Sequence, residues 1–202
     1  MRILYEIVLV LYIVGYFPIL LLRGKWHGGF GERFGFISRE ALQRLSQSSN
    51  IWVHAVSVGE VMAVGGLIRQ LKLRFPRHQI VLTTATRTGY ELSQKKLSKE
   101  IMLLWAPIDL SASVLRFIKA IKPKIYVAAE TELWPNLFYY LHRNRIPIVV
   151  VNGRISDKSL YQYLRIRWFM RHFLKCANAY CMQSALDVQR IVAIGAPTHC
   201  VK

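Results

Sequence analysis

The chain has 202 residues, 53% of them hydrophobic, and its 28 Lys and Arg outweigh 11 Asp and Glu for a formal net charge of +17. Such a chain suits one ordinary domain, or a compact domain with a membrane anchor, and disorder over most of its length is excluded. The charge calls for an anionic partner, whether nucleic acid, an acidic membrane face or a phosphorylated substrate, without choosing among them. Cys176, Cys181 and Cys200 are odd in number and lack C-x-x-C spacing. A disulfide scaffold and a structural zinc are therefore disfavoured, and a reducing compartment fits.

From Ile3 to Leu22 the only charge is Glu6. As a helix this stretch matches the roughly 20 residues that cross a bilayer's hydrocarbon core, so residues 1–25 are read as a membrane-anchor helix. Tyr5, Tyr12 and Tyr16 suit interfacial depth, and Pro18 falls in the last turns. The alternative is a buried first helix of a soluble domain; a cleaved signal peptide fits worse. Arg2 precedes the segment and Arg23, Lys25, Arg33 and Arg39 follow it, which puts the rest of the chain in the cytoplasm by the positive-inside rule. Residues 26–50 read as a basic, glycine-rich joint. Its run from Gly28 to Gly35 follows no strand, so it is neither a dinucleotide fingerprint nor a P-loop, and a flexible connection is expected.

Residues 51–202 alternate short apolar runs with helical periodicity. Strands are expected at 51–57, 79–84, 101–104, 124–129, 146–151 and 179–182. Helices are expected at 61–75, 90–97, 111–121, 134–143, one long basic helix at 159–175, and 185–194. Nearly continuous apolar strands, each followed by a helix, call for an α/β fold with a doubly wound parallel sheet. Ligands of such sheets bind at the carboxyl ends of the strands. Those ends here carry Ser57-Val-Gly-Glu60, Thr83-Thr-Ala-Thr86, Pro107-Ile-Asp109, Glu130-Thr-Glu-Leu-Trp-Pro-Asn136 and Asn152-Gly-Arg-Ile-Ser156. Two carboxylate-bearing ends on one crevice suggest a general base and an electrostatic partner. Taken singly, each has a plainer use: Glu60 and Glu130 as first-turn acids, Asn152 as a turn residue, Pro135 as a first-turn proline. It is the coincidence of five that favours a site. His54 reads as a hydrogen-bonded core histidine, and His142, His172, Asp157 and Asp187 form no metal-like cluster, so no metal site is expected.

In order, His54-Ala-Val-Ser-Val-Gly-Glu60, Thr83-Thr-Ala-Thr-Arg-Thr-Gly89, Glu130-Thr-Glu-Leu-Trp-Pro-Asn136, Asn152-Gly-Arg-Ile-Ser156 and Gln183-Ser184 resemble the 3-deoxy-D-manno-octulosonic acid (Kdo) transferases. The resemblance implies the Rossmann-like N-terminal domain of a GT-B glycosyltransferase, preceded by a hydrophobic helix. It also implies an inverting, metal-independent transfer from CMP-Kdo, a donor substrate rather than a cofactor, to a lipid A precursor (lipid IVA) at the inner membrane. By motif, Glu60 is implied as the proton acceptor and Glu130 as a transition-state stabiliser, with Ser57, Gly59, Thr84 and Arg154 on the acceptor side. Glu60 is expected to project into the crevice from a turn at Gly59, ionised by the helix N-terminus beside it. Family members are about twice as long, and ~200 residues is one domain's worth, so the CMP-Kdo-binding half is expected to lie outside this chain. Gly153, alanine in many relatives, is expected to matter little.

Two other readings compete. One is a catalytically inactive, membrane-tethered module that binds anionic lipid. The other, nucleic-acid binding through the basic surface, leaves the five polar strand ends unexplained, and no nucleic-acid partner is expected.

Overall fold

The computed structural model describes residues 2–22 and 29–202, with side chains from residue 3 to 15 and from 29 onward. The basic flank of Arg23 and Lys25 therefore lies outside the described residues, as do the side chains of Tyr16 and Pro18.

Six strands, β1 Ser49–His54, β2 His78–Thr84, β3 Ile101–Trp105, β4 Pro123–Ala129, β5 Ile148–Gly153 and β6 Ala179–Met182, form one sheet in the order β3-β2-β1-β4-β5-β6. Every pairing is parallel; Trp52 lies opposite Val81 and Tyr126, and Val53 opposite Leu82 and Val127. The helices are α1 Arg2–Leu22, α2 Phe30–Arg33, α3 Arg39–Ser46, α4 Val58–Arg74, α5 Arg87–Leu97, α6 Ser111–Ile121, α7 Pro135–Arg143, α8 Asp157–Arg165, α9 Arg167–Leu174 and α10 Ala185–Ile194.

Strand pleating sends alternate side chains to opposite faces, which is why apolar runs without polar alternation make a sheet buried on both sides. Ile51, Val53 and Ala55 join Val61, Val64 and Ile68 of α4, whereas Trp52 joins Phe117 of α6 and Phe138 of α7 on the other face. Ser38, Ser57, Thr86, Ser156 and Ser184 start their helices by accepting a backbone N–H from their own first turn. The expected long basic helix is two: α8 buries no residue and α9 buries Met170, Phe173 and Leu174, and the chain breaks at Ile166 (φ −114, ψ 25). The break lets the apolar stripe of α9 face the core, which one straight helix would carry past it.

From Gly29 on, the glycine-rich segment is folded rather than flexible. Glu32 accepts the Trp105 N–H at 3.1 Å, Arg33 donates to the Ala85 carbonyl and stacks 4.8 Å over the Trp105 ring, and Ile108 N–H bonds the Arg33 carbonyl at 2.9 Å. A Cβ on Gly29 would come within 2.0 Å of the Trp105 indole, so the close approach itself requires glycine. Further along, Ile37 and Leu45 enter the core.

Of the expected helix over residues 1–25, α1 covers Arg2–Leu22, and residues 23–25 lie outside the described residues. Among the described residues, however, no helix is long and apolar enough to cross a membrane, and the spanning reading is not supported. Its first turns are tied to the sheet domain instead. Tyr5 donates to Asp109 at 2.9 Å, and Glu6 accepts the Ser111 N–H and hydroxyl at 2.7 and 2.8 Å. Ile3, Leu4, Ile7, Val8, Leu11 and Val14 remain exposed.

Candidate functional site

The chain runs outward from β1 to β2 and β3, then crosses back to β4 on the far side of β1. Such a reversal opens a crevice beyond the carboxyl ends of the two central strands. Glu60 comes from the β1 side of that crevice, and Glu130 and Glu132 come from the β4 side.

Glu60 does not project freely from a turn. Gly59 is helical, in the first turn of α4, and a Cβ there would meet only the Ser57 hydroxyl at 3.9 Å. The Glu60 carboxylate folds back on its own helix start, accepting from Val56 N–H at 2.7 Å, Ser57 N–H at 3.2 Å and the Ser57 hydroxyl at 2.7 Å, in a capping box. Burial pushes its pKa above the ordinary carboxylate range; the Ser57 and Val56 donors oppose the rise, while the charges of Glu132 and Glu130 reinforce it. The expected dominance of the helix N-terminus is thus overturned: with Glu60 only 5% exposed, lost hydration outweighs the local donors. A carboxylate raised in this way is better matched to proton acceptance near neutrality than an ordinary one.

The Thr83-to-Gly89 motif holds this turn in place. Thr84 and Thr86 hydroxyls both donate to the Val56 carbonyl, at 3.1 and 3.0 Å, and Gly89 presses so closely that a Cβ would lie 2.7 and 2.8 Å from those two hydroxyls. Thr84 is fully buried, so its place is beneath the site, supporting it. Ser57, half-buried, is engaged with Glu60.

Across the crevice, Glu130 (φ 52) and Asn152 (φ 56) occupy left-handed backbone at the ends of β4 and β5. Non-glycine residues are held there only when their surroundings enforce it. Around them, Glu130 N–H bonds the Val151 carbonyl at 2.8 Å, the Thr131 hydroxyl bonds the Arg154 carbonyl at 2.5 Å, and the Gln183 side-chain amide donates to the Asn152 carbonyl at 3.2 Å. Glu132 accepts the Trp134 indole N–H at 2.9 Å, and burial raises its pKa, reinforced by Glu130. The Trp134 ring meets His54 edge-on at 4.8 Å. His54 is a core histidine as expected, bonded to the Thr83 hydroxyl at 2.8 Å and kept neutral by burial, its pKa falling to about 3.

Glu60, Glu130 and Glu132 are therefore one electrostatically coupled group. Arg154 stands apart from them, exposed at the β5 end, where its charge helps lower the pKa of Asp187. Glu132 escaped selection from the sequence because nothing in the order of residues tells which of two glutamates, two positions apart, turns inward. Among the described residues no group of three His, Cys, Asp or Glu is placed to hold a metal ion.

A parallel 3-2-1-4-5-6 sheet with carboxylates gathered at its reversal point defines a Rossmann-type α/β domain. Its backbone is similar to that of the UDP-GlcNAc 2-epimerase from Neisseria meningitidis bound to UDP-GlcNAc, at TM-score 0.51 and 12% identity, covering 75% of this chain and 45% of that one. The family model for 3-deoxy-D-manno-octulosonic-acid transferase (kdotransferase) matches residues 28–202, and the chain belongs to that family. It is 32% identical over 173 residues to the 3-deoxy-D-manno-octulosonic acid transferase of Haemophilus influenzae, covering 86% of this chain and 40% of that protein. It is also 36% identical over 166 residues to a bifunctional glycosyltransferase/methyltransferase of Fusobacterium nucleatum, covering 80% of this chain and 26% of the relative. The chain thus spans two fifths or less of the length of these relatives.

Proposed function

We propose that this chain is the acceptor-binding, base-bearing portion of an inverting Kdo transferase acting on a lipid A precursor in lipopolysaccharide biosynthesis. The observation that carries the reading is the placement of Glu60 after β1 and of Glu130 and Glu132 after β4, the two strands flanking the reversal point, with burial raising the pKa of Glu60 and the charges of the other two adding to it. In the reaction, an acceptor hydroxyl oxygen bonds to the anomeric carbon of Kdo while the bond from that carbon to the CMP oxygen breaks. CMP leaves with the electron pair, and Glu60 takes the hydroxyl proton. Glu130 stabilises the positive charge that builds on the sugar in an oxocarbenium-like transition state. CMP-Kdo is held by sequence beyond the portion of the family matched here; Ser57 and Gly59 shape the acceptor side, Thr84 supports their turn from beneath, and Arg154 borders it from the β5 end.

The same reading places the chain at the cytoplasmic face of the bacterial inner membrane, with α1 lying in the membrane surface. Support comes from the exposed apolar side chains of α1 together with exposed Leu164 of α8, Trp168 of α9 and Ile166 between those basic helices; Tyr5 of α1 meets Phe169 of α9 at 6.0 Å.

The test is a chimera in which this chain replaces the corresponding N-terminal part of the Haemophilus influenzae relative, assayed for Kdo transfer from CMP-Kdo to lipid IVA. Product is expected. A folded chimera that binds both substrates and forms none would overturn the reading.

A further inference from the structure

Helices α6 and α7 both start without a side-chain cap of their own, from Leu110 and Trp134. Each is capped instead by a carboxylate brought from elsewhere in the chain. Glu6 of α1 serves α6 through Ser111. Asp109 serves α7: its Oδ1 accepts the Leu137 N–H at 2.8 Å, its Oδ2 accepts the Asn136 N–H at 3.1 Å, and its carbonyl accepts the Asn136 side-chain amide at 2.6 Å. That same Oδ2 receives the Tyr5 hydroxyl of α1 at 2.9 Å. Asp109 is 7% exposed and Asn136 fully buried, so water does not substitute for these partners at low cost.

Helix α7 begins directly after the loop that carries Glu130 and Glu132. We propose that Tyr5 and Asp109 form a positioning relay, through which the seating of α1 sets the register of the Glu130–Trp134 loop against Glu60. The inference rests on the transferase reading above and adds a coupling between the membrane-facing helix and the reacting centre. Neither residue touches substrate. Tyr5 orients the Asp109 carboxylate, Asp109 fixes the first turn of α7, and that turn is the carboxyl-terminal anchor of the loop. The other anchor is the Glu130 N–H bond to Val151.

The test uses Tyr5→Phe, which keeps the ring against Phe169 and deletes the hydroxyl, with Glu6→Gln as a control on the same helix. Backbone amide exchange is read in the whole chain, and kcat and acceptor KM are read in the chimera. Tyr5→Phe should speed exchange at Asn136 and Leu137 by about tenfold, the size expected for one weakened hydrogen bond to a charged group. It should also lower kcat about as much, with acceptor KM nearly unchanged. Glu6→Gln should loosen Ser111 and leave Asn136 and Leu137 as they were. Unchanged exchange at Asn136 and Leu137 in Tyr5→Phe overturns the relay whether or not the chimera is active. Faster exchange with an unaltered kcat reduces the pair to a structural tie and overturns it equally. An inactive wild-type chimera sinks the transferase reading, while the exchange measurement still decides whether α1 is coupled to the loop.

Discussion

The Ser57 hydroxyl and the Glu60 carboxylate meet at 2.7 Å, so the candidate base is also the residue that closes the first turn of α4. Capping and the proposed role as base do not exclude each other. The capping box holds the carboxylate at the crevice in one orientation, and burial pushes its pKa upward against the Ser57 and Val56 donors.

Glu60→Gln keeps the size of the side chain and one acceptor oxygen but removes the base. Turnover of the chimera should fall by about 10² to 10⁴, the usual contribution of general base assistance, with acceptor binding little changed. Ser57→Ala, which loosens the cap, should cost about 0.5–2 kcal/mol in urea denaturation. A Glu60→Gln protein that is less stable yet turns over normally would leave Glu60 a cap and nothing more.

Gly89 touches no substrate in the proposed reaction, yet its replacement should be felt there. The methyl of Gly89→Ala pushes the Thr84 and Thr86 hydroxyls off the Val56 carbonyl, and Val56 N–H is a Glu60 partner. Overpacking of this kind costs about 1–3 kcal/mol, and kcat should drop together with the melting temperature. Gly66→Ala, at a position where nothing lies within 4 Å, is the control: it should leave kcat unchanged and raise the melting temperature slightly, because alanine is the better helix former by about 1 kcal/mol.

Glu32 lies in the run that reads as a flexible joint, and the structure gives it a partner in the Trp105 N–H. Its carboxyl is pushed from an ordinary 4.5 up to about 7, chiefly by burial, with the Trp105 N–H and Arg33 opposing. Between those two values the folded chain holds a proton that the unfolded chain has released, so this group makes stability fall as pH rises from about 4.5 to about 7. Glu32→Gln keeps an acceptor for Trp105 without the charge. Its urea midpoint relative to wild type should therefore be higher at pH 8 than at pH 5. Glu32→Ala leaves the Trp105 N–H unpaired and should cost about 1–3 kcal/mol. An identical difference between Glu32→Gln and wild type at both pH values would mean that the carboxyl is not raised.

Membrane attachment is tested without disturbing the Tyr5 and Glu6 ties. Leu11 and Val14 are 65% and 64% exposed, so replacing both by Asp removes apolar insertion and leaves the fold intact. Inserting one such side chain is worth about 1.5–3 kcal/mol, and sedimentation with anionic vesicles should fall by at least about 100-fold. The basic contribution that remains should weaken as salt rises. Undiminished sedimentation of the double variant would remove α1 from the membrane contact.

The order of strands and helices was legible because it depends on short-range patterns. Apolar runs between turn residues mark β1 to β6, and α6, β6 and α10 begin and end where their periodicity does. The strand-end motifs were legible for the same reason: a parallel sheet sends its functional residues to the carboxyl ends of its strands, whatever the reaction. What the linear order does not contain is which groups meet across long separations. Asp109 finds Tyr5 104 residues away and Leu137 28 residues away, and Trp105 finds Glu32 73 residues away, turning an apparent linker into part of the domain. The break at Ile166 was set by where the core stands, since the residues from 159 to 175 are compatible with one helix until Met170, Phe173 and Leu174 must face inward. The direction of the Glu60 shift was decided in the same way. A glutamate three residues after a capping serine reads as ionised, and only the burial imposed by the assembled crevice, with two more glutamates opposite, raises its pKa.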